Sequence, residues 1–132
     1  MRRPSLSLDP VRHGGAGLRT FLNIAELWSL SGEEQMRILG VHDRAIFEDW
    51  KVRVRAYEAI AIPTDVIERI GCVLSIYASL VRLVSHERSA AWLHGPNQGS
   101  IFGGGSALAL MTSGAIEDLD RVARYLLRQG QG

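Results

Sequence analysis

A glycine-rich segment at residues 99–106 is the first place in the sequence where ligand chemistry could be expected. It reads Gly-Ser-Ile-Phe-Gly-Gly-Gly-Ser and leads into an apolar run, so its backbone amides could cradle a phosphate at the start of a helix. A P-loop also needs a Lys directly after the glycines and a strand before them, and the sequence provides neither. We therefore interpret the segment as a turn that lets two helices pack closely.

The side chains that could bind a metal or act as nucleophiles are few and badly spaced. His86 and Glu87 begin like the zinc motif of metalloproteases, but Ala90 stands where the second His ligand would be. A Ser nucleophile would need a G-x-S-x-G motif, which is missing. Metal-ligand spacing is also missing among the remaining histidines and the single cysteine, which are His13, His42, His94 and Cys72. The sequence therefore predicts no catalytic residue, no metal, no cofactor and no enzymatic activity.

The segment from residue 31 to residue 55 has the pattern of a helix-turn-helix. Ser31 and Glu34 have the spacing of a capping box that starts a short helix. Gly40 suits the left-handed conformation in which helices commonly end. His42 or Asp43 can then cap a second helix. In a helix-turn-helix this second helix enters the major groove of DNA.

Basic residues on and beside this second helix are the candidate DNA contacts. We expect DNA to be bound by His42, Arg44, Lys51, Arg53 and Arg55. The alternative is an ordinary three-helix bundle that does not bind DNA. It draws support from three carboxylates that lie among the basic residues and repel phosphate, namely Asp43, Glu48 and Asp49.

Apolar residues recur at helical spacing along the chain, and no stretch of useful length alternates as a strand would. The pattern predicts a first helix from Leu18, a long central helix over residues 66–84 and a final helix from Ile116. Asp65 is expected to cap the central helix and Ser85 the helix after it. The helix that follows Asp43 is expected to carry the apolar residues Ile46, Phe47, Trp50 and Val54. The predicted fold class is all-α.

The charge balance limits the partners that the protein could attract. The 132 residues include 15 Lys plus Arg and 14 Asp plus Glu, which leaves a net charge of +1. This weak charge provides no long-range attraction to nucleic acid or membranes, so DNA binding would need a local basic patch. The uncharged stretch at residues 71–81 is shorter than the roughly 20 residues that a membrane-spanning helix needs. We expect a cytoplasmic protein.

The succession of these motifs resembles the Xre/MbcA/ParS family of antitoxins. The N-terminal part is similar to the family's L-G-[IV]…W-[KR] pattern, which many helix-turn-helix proteins share, at Leu39-Gly40-Val41 and Trp50-Lys51. The C-terminal part carries a more specific succession, which runs through Trp92-Leu93, Pro96-Asn97, Phe102-Gly103-Gly104, Leu108, Leu110, Gly114, Val122 and Tyr125-Leu126. Ser106 stands where the family commonly has Pro, and Ser can cap the following helix instead.

Residues 1–17 contain two prolines and three glycines and have no apolar period, which predicts a flexible leader. The resemblance implies an Xre-like helix-turn-helix region (18–62) and a helical toxin-binding domain (63–132). It implies the antitoxin of a type II toxin-antitoxin system, which sterically blocks a RES-domain toxin that consumes NAD and represses its own operon through the helix-turn-helix. NAD would be the toxin's substrate, not a cofactor of this chain. We expect a homodimer within a larger toxin-antitoxin complex. The residues expected to bind the toxin are Trp92, Pro96, Asn97, Phe102, Arg121, Arg124, Tyr125 and Arg128.

One alternative function stays open. The chain could be a stand-alone helix-turn-helix transcriptional regulator whose C-terminal half only dimerises. A partner toxin separates the two hypotheses, because only the antitoxin would bind one.

Overall fold

The structure, a computed structural model, describes the backbone of residues 10–131 and the side chains of residues 13–130. Within these residues the chain forms seven α-helices and one 3-10 helix, and its only strand-like pairing is a β-bridge between Pro96 and Ser106. The helices are α1 (Pro10–Leu27), α2 (Gly32–Leu39), α3 (Arg44–Arg55), α4 (Thr64–Leu83), α5 (Ser89–His94), the 3-10 helix (Ser100–Phe102), α6 (Ala107–Met111) and α7 (Ile116–Gln131). The prediction of an all-α fold is confirmed.

The long helix α4 is the centre of the fold. It packs against α1 and α2 of the N-terminal half and against α5 and α7 of the C-terminal half. Its buried side chains belong to one continuous hydrophobic core that runs through both halves. Among them are Val66, Ile70, Cys72, Val73, Ile76 and Leu80. The two halves are therefore held by shared apolar burial, and the division at residues 62 and 63 stays a prediction.

Helix α1 starts earlier than predicted. Residues 10–17, which we assigned to a flexible leader, form its first turns, while residues 1–9 of that leader lie outside the described part of the chain. Pro10 is compatible with this start because Pro is tolerated in the first turn of a helix. Gly14 is buried, and a Cβ atom there would lie 3.1 Å from Cγ1 of Ile62. Gly14, one of the glycines that suggested flexibility, therefore allows close packing against Ile62.

The predicted ends of α2 and the start of α3 are confirmed. The Ser31 hydroxyl accepts a hydrogen bond from the Glu34 amide, and the Glu34 carboxylate accepts one from the Ser31 amide at 2.8 Å. Gly40 has φ +70° and ends α2 in the left-handed region. The carboxylate of Asp43 caps α3 by accepting from the amide of Ala45 at 2.9 Å. Local sequence signals therefore determine the turn between α2 and α3.

Two local predictions are wrong. The N-cap of α4 is Pro63, which has no side-chain cap hydrogen bond, so Asp65 lies inside the first turn where its charge favours the helix dipole. Ser85 has φ +94° and caps nothing, because α5 begins at Ser89, whose buried hydroxyl is hydrogen-bonded to another helix. Ile46 lies on α3 as expected and is 47% exposed, unlike the buried Phe47 and Val54 of the same helix. No helix within residues 10–131 is long and apolar enough to cross a bilayer.

Candidate functional site

Three aromatic side chains meet where α5, the loop at residues 95–105 and α7 come together. The ring of Phe102 lies edge-on to Trp92 with 6.0 Å between centroids, and edge-on to Tyr125 with 5.2 Å. Such edge-to-face pairs stabilise by about 0.5–1.5 kcal/mol beyond their burial. Phe102 is only 8% exposed, whereas Trp92 and Tyr125 are half-buried. The buried ring of Phe102 therefore fixes the loop to the core, whereas Trp92 and Tyr125 keep exposed surface that a partner could contact.

The loop at residues 95–105 is held in one shape by its own hydrogen bonds. The amide of Asn97 donates to the carbonyl of Gly105 at 3.0 Å, and the Asn97 side chain accepts from the amide of Gly99 at 3.1 Å. Gly103 and Gly104 both have positive φ, at +57° and +86°. The loop borders an open cleft of about 460 Å³ that Pro96 and Asn97 help to line. The two predicted contacts Pro96 and Asn97 thus lie together on its rim.

Gly99 is a site residue that sequence reasoning missed. A Cβ atom at this position would lie 2.9 Å from the hydroxyl oxygen of Tyr125 and 3.0 Å from the ring of Phe102. The loop can therefore reach the aromatic side chains only because residue 99 has no side chain. The sequence shows a glycine in a loop, but it does not show that Tyr125, 26 positions later, is the neighbour that requires a glycine there.

The arginines of α7 form a stripe on its outer side, but carboxylates of the same helix partly neutralise them. Arg121 lies 3.2 Å from Asp118, and Nε of Arg124 lies 2.9 Å from Asp120. The Arg124 and Asp120 side chains are 30% and 17% exposed, so this pair is bound into the helix surface. Arg121 and Arg128 are exposed. These two are the arginines of the predicted set that a partner could reach most easily.

In the N-terminal half, the predicted DNA contacts do not share one face of α3. Residues 44, 51 and 55 fall on one side of a helix with 3.6 residues per turn, and residue 53 falls on the opposite side. Lys51, Arg53 and Arg55 therefore do not form one patch, because Arg53 lies two residues from each of the other two and points about 160–200° away from them. His42 is exposed just before the helix.

Each of three basic side chains in this region has an acidic neighbour. Arg44 lies 3.5 Å from Glu33 of α2, Nζ of Lys51 lies 2.9 Å from Glu48, and Nε of Arg53 lies 3.0 Å from Asp49. Lys51 also lies over the ring of Phe47 at 4.8 Å. These pairs lower the positive potential that DNA would experience. Of the three carboxylates named from the sequence, Glu48 and Asp49 pair with basic side chains and Asp43 caps α3; their effect on DNA binding stays a prediction.

A long-range contact that the sequence did not reveal connects the two halves. Arg69 of α4 donates from Nη1 to the carbonyl of Ile38 at 3.3 Å and from Nη2 to the carbonyl of Gly114 at 3.0 Å. Its guanidinium lies against Gly40, where a Cβ atom would be 2.8 Å from Cζ. One side chain thus joins the C-terminal end of α2 to the turn before α7.

A second set of contacts fixes α5 to α1. Trp28 is fully buried, and its indole donates to the hydroxyl of Ser89 at 3.1 Å. Nε2 of His94 donates to the carbonyl of Trp28 at 2.6 Å. Nδ1 of His86 lies 3.0 Å from the hydroxyl of Tyr77. Two of the histidines weighed as metal ligands therefore have structural hydrogen bonds, and among residues 10–131 no three metal-binding side chains cluster.

Two family models match parts of the chain, one towards each end. Residues 7–49 match the model of the antitoxin Xre-like helix-turn-helix domain, and residues 79–132 match that of the antitoxin Xre/MbcA/ParS C-terminal toxin-binding domain. A Sinorhizobium fredii protein described as uncharacterized protein y4oB is 36% identical over 133 residues, which cover 100% of this chain and 97% of the relative. With a helix-turn-helix domain followed by a toxin-binding domain, the chain belongs to the Xre/MbcA/ParS family of antitoxins.

Proposed function

We propose that the chain neutralises a RES-domain toxin by covering the cleft through which that toxin takes up NAD. The observation that carries the proposal is the exposed surface around the aromatic cluster. Two half-buried aromatics, Trp92 and Tyr125, flank a loop held by its own hydrogen bonds, and the exposed Arg121 and Arg128 follow on α7. Aromatic and arginine side chains dominate the binding energy of protein interfaces.

The rigidity of the loop supports steric inhibition. A loop that is ordered before binding loses little conformational entropy when it contacts a partner. This smaller entropic cost increases the affinity for the partner. The Asn97 side chain and the β-bridge between Pro96 and Ser106 supply that order. Steric blocking also requires no catalytic residue in the antitoxin.

Co-expression with the toxin encoded beside this gene tests the proposal. The wild-type chain should restore growth, co-purify with the toxin and preserve cellular NAD. Arg121→Glu combined with Arg128→Glu should abolish co-purification, while Arg37→Glu, an exposed change on α2, should not. Persistent toxicity and no complex with the wild-type chain would refute the antitoxin function for that toxin. A complex unaffected by the α7 double variant would refute this surface only.

We also propose that the helix-turn-helix represses the chain's own operon as a homodimer. His42, Arg44, Lys51 and Arg55 are the side chains proposed to contact DNA, and Arg44, Lys51 and Arg55 share one side of α3. Arg44 and Lys51 are already paired with acidic side chains. We therefore expect DNA binding to release few counterions, so that the affinity for DNA depends only weakly on salt concentration.

Electrophoretic mobility shift with the promoter fragment measures this directly. Arg44→Ala combined with Lys51→Ala should remove the shifted band, and the double variant should still bind the toxin. Arg82→Ala, an exposed change on α4, is the matched control and should bind promoter DNA like the wild type. A promoter shift that survives the double variant would contradict the assignment to this side of α3.

A further inference from the structure

A small cleft lies where α1 meets the C-terminal end of α3, and its volume is about 180 Å³. It is here called the α1/α3 cleft, and the residues that line it are Arg19, Leu22, Asn23, Arg55 and Tyr57. Leu22 is buried, whereas Asn23, Arg55 and Tyr57 are exposed. Two cations, an amide and a phenol therefore surround one apolar side chain, and none of the five lining residues is acidic.

The two arginines of the α1/α3 cleft lack the acidic partners that neighbouring cations have. Arg44, Lys51 and Arg53 each pair with a carboxylate. Among the side chains that the structure describes, none forms an ion pair with Arg19 or Arg55. Two like charges in one cleft repel each other, and an anion bound between them relieves that repulsion. The cleft therefore keeps positive charge that ion pairs cancel elsewhere on α3.

The guanidinium of Arg19 is fixed by two contacts within the chain. Its Nη1 donates to the carbonyl of Val54 at 3.2 Å, and its Cζ lies 4.4 Å from the centre of the Tyr57 ring. Tyr57 itself has φ +59°, a conformation that bulky residues rarely adopt. A guanidinium carries five N–H donors, so the bond to Val54 leaves others for a ligand. A guanidinium held in this way is suited to the bidentate recognition of phosphate.

The α1/α3 cleft continues the basic side of α3. Arg44, Lys51 and Arg55 lie on one side of this helix, and Arg55 belongs both to that side and to the cleft. When a recognition helix lies in the major groove, side chains on its flank face a phosphate backbone rather than the base edges. The cleft is therefore placed where a helix-turn-helix meets the DNA backbone.

We propose that the α1/α3 cleft binds a phosphodiester group of the DNA backbone beside the bases that α3 contacts. Arg19 and Arg55 supply the positive charge and forked donors, and Asn23 and Tyr57 supply further hydrogen bonds. The proposal rests on the DNA binding proposed above and adds α1 to that surface.

The same cleft accounts for the salt dependence of DNA binding. Because Arg44 and Lys51 are already paired with carboxylates, they release few counterions when DNA binds. The counterions that are released come chiefly from the unpaired arginines of the cleft. The dependence on salt should therefore be weak in the wild type, and it should be weaker still when the cleft loses a charge.

Salt titrations of the full-length chain with labelled DNA, followed by fluorescence anisotropy, test the cleft. Arg55→Gln removes one charge without breaking an ion pair, so its fold should be that of the wild type. Its affinity at low salt should fall about tenfold. The slope of log K against log salt concentration should become shallower by about 0.9. Both changes should be equal on promoter DNA and on unrelated DNA, because phosphate contacts carry no sequence information.

Two further variants separate the cleft from the overall charge of the protein. Arg82→Gln removes the same charge from an exposed position on α4 and should keep the wild-type affinity and slope. Arg19→Gln combined with Arg55→Gln should make the slope shallower by about 1.8. Circular dichroism checks the helix content of each variant, because Arg19 also bonds to Val54. If the double variant unfolds, Arg55→Gln alone decides the test.

The outcomes distinguish the cleft from DNA binding itself. A wild-type chain that binds neither promoter nor unrelated DNA at low salt would overturn both. Wild-type affinity and slope in Arg55→Gln would overturn the cleft alone. A loss confined to promoter DNA, with an unchanged slope, would assign Arg55 to a base and overturn the phosphate site. Loss of toxin co-purification with intact DNA binding would assign the cleft to an acidic protein surface and would overturn it too.

Discussion

Replacing Arg69 by Ala should destabilise the whole chain, although Arg69 belongs to neither proposed binding surface. The side chain donates to the carbonyls of Ile38 and Gly114, at 3.3 Å and 3.0 Å. A hydrogen bond from a charged group contributes about 1.5–3 kcal/mol, and the length of one bond and the exposure of the other indicate the lower end for both. The sum is about 3 kcal/mol.

Part of this stabilisation is offset in the native chain. Nε of Arg69 is buried and has no hydrogen-bond partner among the described residues, which costs about 1 kcal/mol that Ala would recover. The net loss should therefore be about 2 kcal/mol in the free energy of unfolding. For a chain of this length it corresponds to a fall in Tm of about 6–10 °C.

Urea unfolding followed by circular dichroism measures the loss, and two further variants test its cause. Arg69→Met keeps a long unbranched side chain at this position but removes both donors, so it should lose most of the same free energy. Arg82→Ala removes an exposed arginine of the same helix and should stay within about 0.5 kcal/mol of the wild type. An Arg69→Ala midpoint no lower than that of Arg82→Ala would refute the reasoning.

Three further changes probe other contacts. Gly99→Ala should displace the loop, because the added Cβ atom would lie 2.9 Å from the Tyr125 hydroxyl. The affinity for the toxin, measured by titration calorimetry, should then fall more than tenfold. Unchanged affinity would exclude the loop from the interface. Asp43→Ala should lower the free energy of unfolding by about 1 kcal/mol through loss of the α3 cap, and a urea midpoint equal to wild type would contradict this. His94→Ala should cost about 1–2 kcal/mol, because it leaves the Trp28 carbonyl without its 2.6 Å partner; calorimetric unfolding at the wild-type Tm would speak against that bond.

Local signals in the sequence were sufficient for the helix-turn-helix. The Ser31 capping box, the left-handed Gly40 and the Asp43 cap all act within three or four residues, so their effects can be inferred from spacing alone. The same logic failed at Ser85, which has positive φ, whereas α5 begins at Ser89, whose hydroxyl accepts a hydrogen bond from Trp28 of α1. Local rules lose their force where a distant side chain competes for the same group.

The sequence by itself determined the all-α class, the caps around the first turn and the resemblance to an antitoxin family, because periodicity, capping and motifs depend on neighbours along the chain. Only the tertiary structure decided that residues 10–17 are helical and that the ring of Phe102 is buried beneath the loop. It also decided that Arg69 joins the two halves. These features depend on contacts between residues far apart in the sequence, or on which side of a helix becomes buried, and the packing of the whole chain determines both.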